Sequence, residues 1–371
     1  MKQKTILTSR FQRTFFVILA IILCFSLPAQ EKKNEASLAG IEEQVKALMD
    51  DGDIPGLSLI IVKGREDAYV KGFGYADVEN KIPVTGDSLF ELCSTSKAFT
   101  ALTALKLAQD GLIDLDAPVS RYLPYFYTVY KGKKQQITIR QCLHQTSGIP
   151  FKSIAKIPES DKENALRQTV KNIAGIELED APGESYRYAT INYDIVAAVI
   201  EAAAGIPFEE YMTKNILRPL GLNHTFAGRS RAPAKDLVTG YKIGFFKARK
   251  YDAPDFRGNM PAGYIISNGK DIARWLKLQM GIEEHEFTPL MKETHRRDKT
   301  VAADGMNQLS YAMGWMETLD GSGNILHTGL NPNFTAFTVF NPEEKTGVAV
   351  LANSNSSYTV YIGRAVMSLL H

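Results

Sequence analysis

Strand-like segments lie at both ends of this chain, with a helical stretch between them, and this arrangement limits the folds open to it. Near the start, Leu57 to Val62 is an unbroken apolar run, and Ala68 to Tyr75 reads as its antiparallel neighbour across a Lys63–Asp67 turn. Near the end, Phe334 to Phe340 and Gly347 to Asn353 form a second pair around Asn341-Pro342-Glu343-Glu344, and Tyr358 to Leu370 has the spacing of a final helix. Ahead of the first strand, Ile41, Val45, Leu48 and Met49 share one helical face. In the middle, Ala98, Leu102, Leu105 and Ala108 follow helical spacing up to Gly111, placed as a C-cap; Ile195, Val196, Val199 and Ile200 do so up to Gly205. Asp271 to Met280 is a third candidate helix. The pattern predicts an α/β (α+β) fold: an antiparallel sheet flanked by helices, built from both chain ends, with an inserted all-helical lobe over about 90–260. A cleft between two such lobes is a natural ligand site.

Length and charge narrow the classes. A chain of 371 residues admits two or three domains, but long α/β enzymes also fold as one unit with two lobes. Apolar content of 44% is ample for a large core. Lys2, Lys4, Arg10 and Arg13 are four positives at the extreme N-terminus; taking them from the formal +2 leaves −2. A chain so near neutrality has no electrostatic footprint for nucleic acid. The basic start leads into a 13-residue apolar run, Phe15 to Leu27, then Pro28-Ala29. A bilayer-spanning helix needs ~20 apolar residues, so 1–29 is expected to be a cleaved export signal. Residues 30–37 then form a polar linker and 38–371 one domain. The protein is expected to be periplasmic or extracellular, with a membrane contact only if the N-terminal segment stays uncleaved. Outside the signal, Cys93 and Cys142 are too few for a disulfide framework; they read as two buried, unreactive thiols, with a catalytic Cys93 as the sharper alternative.

The chemistry concentrates at Ser94-Thr95-Ser96-Lys97, where strand gives way to helix. Serine and lysine at i and i+3 lie on one face of a first helical turn. Serine needs a base within hydrogen-bond reach to act as a nucleophile, and a lysine serves when its surroundings bring its pKa to ~7–8. The same four residues would also suit an exposed helix start with no chemistry.

The surrounding stretch, Phe90-Glu91-Leu92-Cys93-Ser94-Thr95-Ser96-Lys97-Ala98-Phe99-Thr100-Ala101-Leu102, resembles the nucleophile helix of the class C β-lactamase and D,D-peptidase family. The resemblance continues through Leu115-Asp116-Ala117-Pro118, His144-Gln145-Thr146-Ser147-Gly148, Pro182-Gly183-Glu184, Arg218-Pro219-Leu220-Gly221, Ala262-Gly263 and Gly314-Trp315, spanning roughly 54–353. It implies a β-lactamase/transpeptidase-like fold, Ser94 as nucleophile, Lys97 as its activating partner and Tyr188 as a proton shuttle. It also implies an oxyanion hole from the backbone N–H groups of Ser94 and Leu330. Two departures bear on specificity. Thr190 stands where the family usually has asparagine: it could accept a bond from Lys97 but not also reach a substrate carbonyl, and Asn192 would point elsewhere. His327-Thr328-Gly329 stands where many relatives have lysine; the literal Lys345-Thr346-Gly347 follows a turn and is set aside. A histidine with a reference pKa of ~6.5 is mostly neutral at pH 7.

The expected activity is that of an exported serine hydrolase acting through a Ser94 acyl-enzyme on small amide or ester bonds, with His327, Thr328, Gly329 and Thr190 lining the substrate site. The alternatives are a class C-like β-lactamase or D,D-carboxypeptidase, and a catalytically silent receptor of wall fragments. No cofactor and no metal is expected, since His144, His224, His285 and His295 lack paired ligand spacing. The expected partner is a small molecule or short peptide. Lys247, Arg249 and Lys250 read as a solvated loop or as a basic lining that attracts acidic substrates.

Overall fold

The apolar runs from the two chain ends meet in a single sheet. The computed structural model describes residues 37–245, 247–301 and 309–370. The signal at 1–29 lies outside these residues, as does the linker except for Ser37, whose hydroxyl accepts a bond from the Gly40 N–H at 3.2 Å and caps the first helix. Among the described residues the sheet has eight strands: β1 (Gly56–Lys63), β2 (Tyr69–Asp77), β3 (Ile82–Pro83), β4 (Leu309–Tyr311), β5 (Met316–Thr318), β6 (Ile325–Leu330), β7 (Thr335–Asn341) and β8 (Thr346–Ala352). They run antiparallel throughout, in the order β4-β5-β6-β7-β8-β1-β2-β3. The junction between the chain ends is β1 on β8, in register from Leu57 opposite Ala352 to Lys63 opposite Thr346.

Strand alternation explains the layers. Leu57, Leu59 and Ile61 of β1 join Phe337, Val339, Val348 and Val350 on one face. Helices α1 (Leu38–Asp51) and α5 (Tyr358–Leu369) cover that face with Ile41, Val45, Ile362 and Val366. On the other face, Ile60, Val62, Ala336, Ala349 and Leu351 join the main core with α2 (Ser96–Gln109), α3 (Ile191–Ala204) and α4 (Gly269–Gln279). With both faces covered, β7 and β8 are buried at every position, which is why they are mostly apolar without alternating with charged residues.

Helices α2 and α3 form the heart of the second lobe. Ile191 to Ile200 are all buried, so α3 is buried all round rather than amphipathic, with Asn192 and Asp194 as its buried polar residues, and Gly205 ends it in the left-handed region at φ 70°. The lobe is not all-helical as expected. A small sheet joins Thr128–Tyr130 to Lys133–Gln135 and Ile176–Glu177, and a second hairpin pairs Tyr241–Gly244 with Lys247–Lys250. The first hairpin turns on Lys131 and Gly132, with φ of 51° and 73°, the pair of left-handed residues that a two-residue hairpin loop requires. Lysine gives little sign of that conformation, so the turn was missed. Lys247, Arg249 and Lys250 are exposed on the second hairpin.

Phe337 is 1% exposed between the sheet and the terminal helices. α5 approaches it so closely at Gly363 that a Cβ there would lie 2.2 Å from the Phe337 ring. Phe337→Ala should therefore leave a cavity that neither layer can close and cost about 3–5 kcal/mol. Urea denaturation of the variant against the parent measures this; a loss below 1 kcal/mol would mean the layers are not locked there.

Candidate active site

Ser94 sits in a tight turn, Cys93–Thr95, that enters α2. The turn follows a short strand, Phe90–Glu91, paired with Ile266–Ser267. Cys93 bends the chain with φ of 48°, left-handed without being glycine, a conformation found where structure over-determines the backbone. The bend leaves Ser94 partly exposed while Cys93, Thr95, Ser96 and Lys97 are buried.

Lys97 is 0% exposed. Its amine donates to Ser94 Oγ at 3.1 Å and to the Ala262 carbonyl at 2.6 Å. Its Nζ lies 5.2 Å from the Tyr188 ring centroid and 5.8 Å from that of Tyr193, within range of cation–π attraction. Ala262 belongs to a short helical turn, Met260–Gly263. That turn is stitched to α2: Thr100 Oγ1 donates to the Pro261 carbonyl at 2.7 Å, and the Ile265 N–H donates to Ser96 Oγ at 3.2 Å. Among the described residues, the bond that Thr190 could take from Lys97 is not formed; the Ala262 carbonyl accepts in its place. Thr190 is buried at the start of α3. Asn192 faces the lobe interior as expected, accepting from Ser147 Oγ at 2.7 Å and donating to Gln145 Oε1 at 2.6 Å.

Strand β6 forms the opposite wall. A Cβ on Gly329 would lie 2.4 Å from the Ser94 nitrogen and 2.6 Å from Cys93 Cβ, so only glycine lets the strand cross the Cys93–Thr95 turn. His327 is 1% exposed on the same strand. Its Nδ1 lies 2.7 Å from the Thr328 carbonyl and its Nε2 3.2 Å from the Tyr311 hydroxyl. A carbonyl only accepts, so Nδ1 carries the hydrogen and Nε2 accepts from Tyr311. Burial, with the Lys97 charge acting in the same direction, pushes the His327 pKa down to about 3. The imidazole is neutral. Thr328 is half-buried opposite Phe337 of β7, and Leu330 is exposed. Pairing with β5 stops at Leu326, leaving the outer edge of His327–Leu330 without a strand partner among the described residues. Tyr188, half-buried, meets Tyr311 edge-on at 6.0 Å and His327 at 6.4 Å.

Sequence reasoning did not single out Tyr311 or the Ala262 carbonyl. A backbone acceptor leaves no residue-type trace, and Tyr311 lies on a strand of three residues, too short for periodicity to register. Cys93 and Cys142 are free and buried, and burial raises both thiol pKa values, so neither is an activated nucleophile. Lys345 lies in the turn before β8 with φ of 57°, its amine on the Met280 carbonyl. Among the described residues no group of three or more His, Cys, Asp or Glu side chains is placed to hold a metal ion.

This arrangement matches a known family. The family model described as Beta-lactamase fits residues 41–369, and the chain belongs to that family, whose members are generally serine hydrolases. Protein flp of Staphylococcus aureus strain N315 is 32% identical over 320 residues, covering 86% of this chain and 63% of that protein. The Unguisins hydrolase ungD' of Aspergillus campestris is 28% identical over 343 residues, covering 88% of this chain and 63% of that protein. This chain thus spans less than two thirds of the length of either relative. The octameric penicillin-binding protein homologue from Pyrococcus abyssi matches the structure with a TM-score of 0.75 at 26% identity, over 90% of this chain and 77% of that one.

Two outcomes follow. Gly329→Ala should force β6 away from the Ser94 nitrogen and lower the hydrolytic rate by ~10²–10³, the size of effect that follows when one backbone donor is displaced from a reacting oxygen; steady-state kinetics on the folded variant check it. His295 lies against the Trp315 and Phe340 rings, bonds Gln279 Oε1 at 2.7 Å and, like His327, has its pKa pushed down to about 3 by burial. Unfolding returns both to about 6.5, so their contribution is present above about 6.5 and is lost as pH falls towards 3. The urea midpoint should drop across that window, less steeply in His295→Gln; an equal drop in both proteins would remove His295 from the account.

Proposed function

We propose that the protein is an exported serine hydrolase of the peptidase or esterase type, cleaving small amide or ester bonds through an acyl-enzyme on Ser94. The observation that carries this reading is the fully buried Lys97 amine, 3.1 Å from Ser94 Oγ and anchored on the Ala262 carbonyl. With Lys97 as the neutral amine, Ser94 Oγ attacks the substrate carbonyl while its proton passes to Lys97 Nζ; the Lys97 ammonium so formed returns that proton through the Tyr188 hydroxyl to the leaving group as the bond to it breaks. The backbone N–H groups of Ser94 and Leu330 receive the oxyanion. Water then enters, the Ser94 ester breaks, and the acid product departs with the serine proton restored.

The neutral His327 supports an amide or ester substrate over a dedicated β-lactam. A lysine there would offer a fixed charge to a substrate carboxylate, and His327 offers none. Thr190 likewise lacks the amide donors that asparagine would present. The open edge of His327–Leu330 suits the backbone of a short peptide, which would pair with it as an added strand. Thr328 and Gly329 lie along that edge. The basic and apolar segments of 1–29 support export. That one relative bears the name of a hydrolase accords with hydrolytic turnover.

Intact-mass spectrometry after a fluorophosphonate probe tests the nucleophile. One adduct is expected on the parent and none on Ser94→Ala. A parent that stays unlabelled, under conditions that label a related hydrolase, would turn the reading to a silent receptor. With chromogenic esters, aminoacyl anilides and a chromogenic cephalosporin side by side, the first two should have the higher kcat/KM; the reverse order would make it a β-lactamase.

A further inference from the structure

We propose that Glu91 and Asn331 form a buried clamp that holds the nucleophile turn, the Met260–Gly263 turn and the end of β6 in register, as positioning residues for the Ser94 reaction. The proposal rests on the Ser94 reading above and extends it to two residues with no part in bond making.

Asn331 directly follows Leu330 and is 8% exposed; Glu91, three residues before Ser94, is 5% exposed. The Asn331 amide donates to Glu91 Oε2 at 2.7 Å and to the Gly263 carbonyl at 2.9 Å, which uses both of its hydrogens. The Asn331 N–H donates to the Phe334 carbonyl at 2.9 Å and closes the β6–β7 turn. One side chain therefore ties three segments. The first carries Ser94. The second carries the Ala262 carbonyl that holds Lys97, one residue before Gly263. The third carries Leu330, whose N–H is assigned to the oxyanion.

The other end of the Met260–Gly263 turn is held in the same way. With its amide oriented so that nitrogen faces the carboxylate, Asn259 donates to Asp194 Oδ2 at 2.9 Å and Oδ1 at 3.2 Å. Both Glu91 and Asp194 are buried, and burial raises both pKa values, that of Glu91 to about 7. Buried carboxylates are costly to a fold unless hydrogen-bonded. Here each is spent on an amide that borders the same turn. The other charged or titratable groups near Glu91 are Arg229 at 3.8 Å on the rim, Asp255, the Cys93 thiol and Tyr264.

A bond of this kind acts on rate rather than on binding, because a misplacement of ~1 Å at a reacting centre costs ~10²-fold. Fluorophosphonate labelling of the full chain, followed over probe concentration and pH, separates the two. Glu91→Gln keeps an acceptor for Asn331 and should label at a maximal rate within about threefold of the parent. Glu91→Leu and Asn331→Asp break the clamp and should label ~10²-fold more slowly at an unchanged half-saturating probe concentration. The parent rate should also contain a step near pH 7 that E91Q lacks, since an ionised Glu91 holds the amide more strongly. Parent-like rates in folded E91L and N331D, or a fall in E91Q as deep as in E91L, would overturn the clamp. If E91L and N331D do not fold, an E91Q profile that keeps the step would overturn it. An unlabelled parent would instead defeat the Ser94 reading itself.

Discussion

A lysine amine with none of its surface in water has to find every partner inside the protein, and the second lobe is organised around that demand. Leaving an ionisable head group buried without hydrogen bonds would cost several kcal/mol. Lys97 draws its partners from separate stretches of chain: Ser94 one turn earlier on the same segment, Ala262 from the turn ahead of α4, and the ring faces of Tyr188 and Tyr193 around the start of α3. None of these would satisfy the amine alone. Together they hold Nζ in one place, and that place is within hydrogen-bond reach of the one partly exposed hydroxyl in the turn.

The same low-dielectric setting decides the state of His327. Two groups able to carry positive charge share the buried seam between lobe and sheet. A second charge beside Lys97 would meet both desolvation and like-charge repulsion, and the imidazole responds by staying neutral. It then works through hydrogen bonds alone. The Thr328 carbonyl fixes the tautomer, and the Tyr311 hydroxyl points its proton at Nε2. The wall facing Ser94 is polar and directional without a fixed charge from His327.

What the sequence made legible follows from the same physics. β7 and β8 read as strands because layers on both faces bury each position and make most of them apolar. Ser94 and Lys97 were readable as a pair because i and i+3 share a helical face whatever the tertiary context. The hairpin at Thr128–Gln135 escaped notice because Lys131 adopts a conformation that its side chain does not advertise. The Ala262 carbonyl was hidden for a different reason, since backbone acceptors are common to all residues. Glu91 and Asn331 were visible as residues but not as partners, being brought together from positions far apart in the chain.

Strain at Cys93 and close approach at Gly329 meet at Ser94, and each makes the other tolerable. Cys93 occupies a left-handed conformation that costs a non-glycine residue of order 1 kcal/mol, and Gly329 gives up a side chain inside a strand. Either would weaken an isolated element. Here the two act on each other: the Cys93 bend sets the Ser94 nitrogen against β6, and the bare Gly329 lets β6 come down to meet it. Neither concession brings the backbones together without the other, and β6 is held in place by its pairing with β7, a strand buried at every position. The geometry around Ser94 is therefore a property of the junction between lobe and sheet, and a serine–lysine pair on a free helix would not possess it.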